Sequence, residues 1–170
     1  VIVNPRPTVS ATNINQTVCS GSAITNIVIT NPNIVSGTTF SWTRDNTTNL
    51  TGIAASGTGS PISGTLINAN GTQQVTTFTI VASTAAGCSN TTTATITVNP
   101  RPTVTATPST QTLCSGTAIT QIDISNPNNV PGTAFSWTRS NTTNLPGIAA
   151  SGAGTAINGI FSNNTNTQQT

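Results

Sequence analysis

Apolar and polar residues alternate with period two over several stretches of the chain. In TTTATITV, Thr92, Ala94, Ile96 and Val98 fall on one side of an extended strand, and Thr91, Thr93, Thr95 and Thr97 on the other. VTTFTIVAS turns Phe78, Ile80 and Ala82 one way and Thr77, Thr79 and Val81 the other. TTFSWTR does the same with Phe40 and Trp42 against Thr39, Ser41 and Thr43. Weaker alternation marks residues 8–12, 24–30, 50–54 and 62–67. Gly, Pro and Asn separate these stretches, and no segment carries a helical period. About seven short strands, each with one apolar face, predict an all-β immunoglobulin-like sandwich.

The pattern occurs twice. A shift of 95 residues lays Cys19 on Cys114, FSWTR at Phe40–Arg44 on Phe135–Arg139, and GIAASG at Gly52–Gly57 on Gly147–Gly152. Between residues 3–75 and 98–170 there are 48 identities in 73 positions, without a gap. A long, nearly exact period of this kind is the mark of a tandem array. It predicts that residues 1–5 are the last strand of a preceding repeat, and that 6–100 form a complete module. Residues 101–170 are then a second module ending before its last two strands. The core is expected at Phe40, Trp42, Phe78 and Ile80, with Phe135 and Trp137 in the second copy. A Trp flanked two residues earlier by Phe on the same face points to packing rather than to a sugar-stacking platform.

The seven residues VNPRPTV, at 3–9 and again at 98–104, fall between the last strand of one module and the first of the next. Pro5, Arg6 and Pro7, and their copies Pro100, Arg101 and Pro102, are expected to act as short semi-rigid joints. Proline fixes φ and removes backbone donors, so strand pairing stops there and the chain stays extended.

Composition removes most chemistry. Only 4% of residues are charged, and His, Lys, Glu, Tyr and Met are absent. The only acids, Asp45 and Asp123, are replaced by Ser140 and Val28 in the other copy, so neither belongs to the repeated design. General acid–base catalysis has no visible base, and no enzyme activity or cofactor is expected. Calcium needs clustered oxygen ligands, and zinc needs closely spaced Cys and His, so no metal site is expected. Four dispersed arginines do not make a nucleic-acid surface. No apolar run is long enough to span a bilayer as a helix.

The order CSG, TTFSWTR, GSPISGTLIN, VTTFTIVASTAAGCS and TTTATITVNP resembles the PKD-like, Ig-like repeats of very large cell-surface proteins of the Bacteroidetes. These include gliding-motility and adhesion proteins exported by type IX secretion. One departure is clear: the third strand runs into SWTRDN or SWTRSN, not the acidic WDFGDG-like turn of better-known PKD domains. The resemblance implies an extracellular, bacterial cell-surface location and a spacer in a long adhesin or filament. The implied partners are adjacent repeats and other copies in a filament. The alternative is a multivalent module whose loops bind surface polysaccharide, a host or a substratum protein. For an exported module, Cys19 and Cys88 are expected to pair within the module, with Cys114 paired beyond residue 170. Two free buried thiols are the other reading, since strand order decides whether the two cysteines meet.

Overall fold

The computed structural model describes residues 1–170 and contains strands, turns and no helix. The chain divides into two compact units, Val1–Arg101 and Pro102–Thr170.

The first unit holds nine strands: β1 (Ser10–Ala11), β2 (Asn15–Cys19), β3 (Ile29–Thr30), β4 (Thr39–Arg44), β5 (Leu50–Thr51), β6 (Ser56–Thr58), β7 (Ile67–Asn68), β8 (Gln74–Ser83) and β9 (Ser89–Asn99). One layer is a five-stranded sheet in the order β2-β9-β8-β4-β6. Its centre is the β8–β9 hairpin, in register from Gln74 opposite Val98 to Ser83 opposite Ser89. Gly87, at φ 82°, turns this hairpin, and its N–H donates to the Thr84 carbonyl at 3.0 Å.

The facing layer is built from shorter pieces. β1 pairs with β3 and β5 with β7, all antiparallel. Reciprocal hydrogen bonds of 3.0 Å between Ile27 and Ile62 join the two pairs. The opening segment therefore serves both layers, β1 in one and β2 in the other. Asn13, at φ 54°, makes the crossing. Gln16 holds it by accepting from Thr25 N at 2.7 Å and donating to the carbonyls of Asn13 and Thr25. After the crossing, β2 runs parallel to β9, from Asn15 beside Thr95 to Cys19 beside Asn99.

Alternation decides what lies between the layers. Phe78, Ile80 and Ala82 of β8 and Ala94, Ile96 and Val98 of β9 are essentially inaccessible to solvent. They meet Ile24, Ile27, Ile29, Leu50, Ile53, Ile62 and Leu66 from the other layer and its loops. Burying each such side chain stabilises the fold by roughly 1.5–3 kcal/mol. Phe40 and Trp42 are only partly buried and lie against the edge of this cluster, with the Trp42 indole edge-on to Phe78 at 5.7 Å. The threonines on the other face of β9 stay exposed or half-exposed.

The second unit repeats the early part of this plan. It holds β10 (Thr105–Thr107), β11 (Ile122–Ser125), β12 (Ser136–Thr138), β13 (Ser151–Ala153) and β14 (Ala156–Ile157). β10-β11-β14 form one sheet and β12-β13 another. No strand of the second unit corresponds to β8 or β9. Positions that β8 and β9 cover in the first unit are correspondingly more open. Ile122 and Leu145 are half-buried where Ile27 and Leu50 are fully buried, while Phe135 and Trp137 are partly buried as Phe40 and Trp42 are. An open cleft of about 920 Å³ runs past Leu113, Ile119, Ile122, Leu145 and Phe161.

One feature departs from the sequence-based expectations. The first unit has nine strands rather than about seven, because β2 and β6 carry too few apolar residues to show in the alternation.

Candidate functional site: the arginine-clasped loop, the joint and the cysteines

The side chain that organises the most polar contacts is Arg44, the last residue of β4. It stands in phase with Phe40 and Trp42, so the pleat turns it inward, and only 7% of it is exposed. Its guanidinium meets main-chain carbonyls. Nε donates to Ile53 O at 2.9 Å and Ala54 O at 3.1 Å, and Nη2 donates to Leu50 O at 2.9 Å and Ile53 O at 2.7 Å. Nη1 reaches Asp45 O at 3.3 Å. Burial pulls the guanidinium below its ordinary pKa, and the neighbouring Asp45 charge opposes that shift. The planar fork fits this array of carbonyls as a lysine ammonium does not.

Arg139 is built the same way. Its Nε donates to Ile148 O at 2.9 Å and Ala149 O at 3.0 Å, and Nη2 donates to Ile148 O at 2.5 Å. The Phe161 ring centroid lies 5.2 Å from its guanidinium carbon.

The loop clasped by Arg44 explains the repeated GIAASG. Gly52 sits at φ 106°, and a Cβ there would come within 2.1 Å of Thr65 O; Gly147 stands in the same relation to Ile160 O at 2.0 Å. Gly57 lies under the Trp42 indole, where a Cβ would be 2.3 Å from the ring. Gly152 lies under Trp137 at 2.4 Å. Three more polar side chains of this segment bond within the unit. Asn46 Nδ2 donates to Val75 O at 2.7 Å, Asn49 Nδ2 to Asn46 Oδ1 at 2.8 Å, and Asp45 Oδ1 accepts from Thr77 N at 2.7 Å.

The segment Pro5-Arg6-Pro7 is docked on the first unit. Pro7 is fully buried. Arg6 Nε donates to Ser89 O at 2.7 Å, and Asn33 Nδ2 donates to Arg6 O at 2.9 Å. Asn33 Oδ1 also accepts from Thr8 N at 2.9 Å. The second unit repeats the last of these contacts, with Thr103 N donating to Asn128 Oδ1 at 3.0 Å. Pro100 is half-buried, whereas Arg101 and Pro102 are exposed.

Cys19, Cys88 and Cys114 are all unpaired. The expected Cys19–Cys88 disulfide is incompatible with the strand order. Cys19 stands beside Asn99 at one end of β9, and Cys88 precedes Ser89 at the other end. At about 3.3 Å per residue, the length of β9 separates them by roughly 30 Å, against about 4.4–6.8 Å between the Cα atoms of a disulfide. Spacing along the sequence gives no hint of this, because it depends on β2 running parallel to β9. The two carboxylates lie one in each unit, and no three Cys, Asp, Glu or His side chains gather to hold a metal ion.

Two β-rich units sharing one internal plan, with the arginine clasp and the glycine–tryptophan contact of the first copied in the second, define a tandem β-sandwich array. The PKD-like domain family matches residues 16–102 and 111–170, and the chain belongs to that family. No curated protein matches it. Among solved structures, the chain is similar to DIP-gamma IG1+IG2, at 10% identity and TM-score 0.46, covering 93% of this chain and 84% of that one. It is also similar to the protocadherin GammaB4 extracellular domain, at 14% identity and TM-score 0.38, covering 96% of this chain and 27% of that one. A third likeness is to the human desmocollin-1 ectodomain, at 14% identity and TM-score 0.34, covering 99% of this chain and 33% of that one.

Proposed function

We propose that the chain is a spacer segment of a long extracellular surface protein, in which PKD-like modules project a distal region from the cell. In this reading residues 6–100 are one full module, residues 101–170 are most of the next, and Pro5-Arg6-Pro7 and Pro100-Arg101-Pro102 are their joints. Its location in this reading is a bacterial cell surface reached by type IX secretion, and the resemblance to Bacteroidetes adhesins and gliding-motility proteins supports it. Its partners are then adjacent repeats and laterally packed copies.

The observation that carries this reading is the inward use of the polar groups common to both copies. Arg44 and Arg139 are spent on carbonyls of their own loops, and Gly57 and Gly152 make room for a tryptophan. Ser20 and Asn68 bond each other as Ser115 and Asn163 do. A loop that recognised a ligand would present such groups outward. The duplicated chemistry instead maintains the module.

The rival is a multivalent binder in which residues 46–55 recognise polysaccharide or protein. Repetition would raise its avidity without any new contact. A glycan array probed with the full chain tests the two. The spacer reading expects no saturable binding. Saturable binding that disappears when exposed side chains of the 46–55 loop are changed would replace it with the binder.

A further inference from the structure

The five-stranded sheet of the first unit ends on two edges, and they differ in how they are guarded. β6 is only three residues long, the Gly59 N–H turns back to Phe40 O at 2.9 Å, and Pro61 follows. Short length and proline are ordinary ways of blunting an edge against further pairing. β2 has neither, and residues 8–25 hold no proline and no charge. Its ladder with β9 runs through every second residue. Ile14 O accepts from Thr95 N at 2.7 Å, and Ser20 N donates to Asn99 O at 2.9 Å. By that alternation Gln16 and Val18 bond to β9 between them. The N–H and carbonyl groups of Asn15 and Thr17, and the N–H of Cys19, therefore point out from the open edge. Only the Cys19 carbonyl is taken, by Ser22 N at 3.0 Å. The side chains of Asn15, Thr17 and Cys19 are exposed as well.

We infer that β2 is a docking edge for the β2 strand of a second copy of this chain, paired antiparallel about a two-fold axis at Thr17. A two-fold partner presents the same pattern of groups, so the edge must complement itself. It does. Residues 15, 17 and 19 are symmetric about 17, and an antiparallel ladder also bonds through alternate residues. Each Thr17 exchanges both backbone bonds with the partner's Thr17, and each Cys19 N–H donates to the partner's Asn15 carbonyl. A shift of the axis either way sets Asn15 or Cys19 against a residue outside the strand. The side chains brought opposite one another are Thr17 with the partner's Thr17, and Asn15 with the partner's Cys19. All are small and uncharged, so the symmetry sets no like charges together. The two five-stranded sheets then run on as one.

This deepens the lateral packing of copies in the reading above and rests on it, but not on the spacer role. One short strand pair is weak by itself, and repetition along an array raises its avidity without a new contact.

The test uses residues 1–170 in two ways. Sedimentation velocity over a concentration series, under a dithiol reductant, compares the unaltered chain with Thr17→Lys. Thr17 is exposed, so the lysine leaves the core alone and sets two like charges on the axis. The inference expects a dimer that builds with concentration, and an association weakened at least about tenfold by the lysine.

Crosslinking in oxidised glutathione then reads the register, with Cys88→Ser and Cys114→Ser throughout. Opposed residues of a bonded antiparallel pair have Cα atoms about 5.5 Å apart, within the span of about 4.4–6.8 Å that a disulfide bridges. Asn15→Cys with Cys19 kept should give a linked dimer, as should Thr17→Cys with Cys19→Ser. Cys19 alone should give little, because its two copies stand roughly 13 Å apart along the strands. A chain that stays monomeric, with no more crosslinking from Asn15→Cys than from Cys19 alone, would overturn the pairing. It would leave the spacer reading standing, since glycan binding tests that. Association that survives Thr17→Lys would also overturn it and assign the contact to another surface, such as the cleft beside Leu145 and Phe161. If circular dichroism showed Thr17→Lys unfolded, the crosslinking pattern would decide alone.

Discussion

Nε and Nη2 of Arg44 converge on a single acceptor, the carbonyl oxygen of Ile53, at 2.9 and 2.7 Å. Two donors of one planar group on one buried oxygen fix the distance between the end of β4 and the loop that returns to β6. Arg139 holds Ile148 in the same way, and the sequence around both arginines is preserved across the repeat.

Arg44→Lys keeps the charge and loses the fork, so Leu50 O, Ile53 O and Ala54 O cannot all stay satisfied. Hydrogen bonds to a charged group are worth about 1.5–3 kcal/mol each, but a lysine recovers one of them. The expected loss is about 2–3 kcal/mol, read as a lower urea midpoint with an unchanged slope. Arg44→Met buries no charge but strands the same carbonyls, and is expected to cost at least as much. A midpoint unchanged in both variants would show that the clasp is dispensable.

Gly57 tests how the tryptophan is seated. Its backbone is not in the left-handed region, so Gly57→Ala costs nothing in φ. The added Cβ would stand 2.3 Å from the Trp42 ring. The indole must move off Phe78, at a cost of about 1–3 kcal/mol as for other overpacked sites. The measurement is tryptophan emission, expected to shift to the red along with the loss of stability. Gly152→Ala should repeat the effect at Trp137.

How much of this was legible along the chain follows from what each strand shows. β8 and β9 declare themselves because each has one face of Ile, Val, Ala or Phe and one of Thr. β2 is an edge strand whose apolar content is Val18 alone. The inward position of β6 is Gly57, which has no side chain to contribute to a pattern. Arg44 had a signal in its phase with Phe40 and Trp42 and in its repetition at Arg139, but a charge at that phase reads as the end of a strand. The cysteine geometry was not legible, since it depends on the parallel pairing of β2 with β9 and on which end of β9 meets the joint.

Phe78 is inaccessible and touches both layers of the core. Phe78→Ala removes that volume where the surrounding strands are tied into ladders on both sides, so collapse around the cavity is limited. The expected cost is about 3–5 kcal/mol, enough to unfold much of a domain of ordinary stability. Circular dichroism during thermal unfolding gives the shift in midpoint. A loss under 1 kcal/mol would mean that Phe78 does not anchor the sandwich.

Cys19 and Cys88 at opposite ends of β9 give a redox prediction for residues 1–170 alone. Three thiols per chain are expected to react under native conditions after equilibration with oxidised glutathione and removal of mixed disulfides. The monomer's melting temperature is expected to be the same with and without a dithiol reductant. A single reactive thiol per monomer would mean that two cysteines had closed within the chain, against the register of β2 on β9.

Arg6 reports on the joint. Its Nε bond to Ser89 O and the Asn33 bond to its carbonyl hold the segment leading into Pro7 against the start of β9. Arg6→Ala removes the first and leaves the second, so the core is untouched and the global unfolding midpoint should not move. What changes is local opening. Amide exchange at Arg6 and Thr8, which flank the donor-less Pro7, is expected to speed up several-fold, with β8 and β9 unaffected. Arg6→Lys restores charge without the directed Nε–H and should resemble the alanine variant. If lysine restored slow exchange, charge alone would hold the joint and the Ser89 hydrogen bond would be incidental.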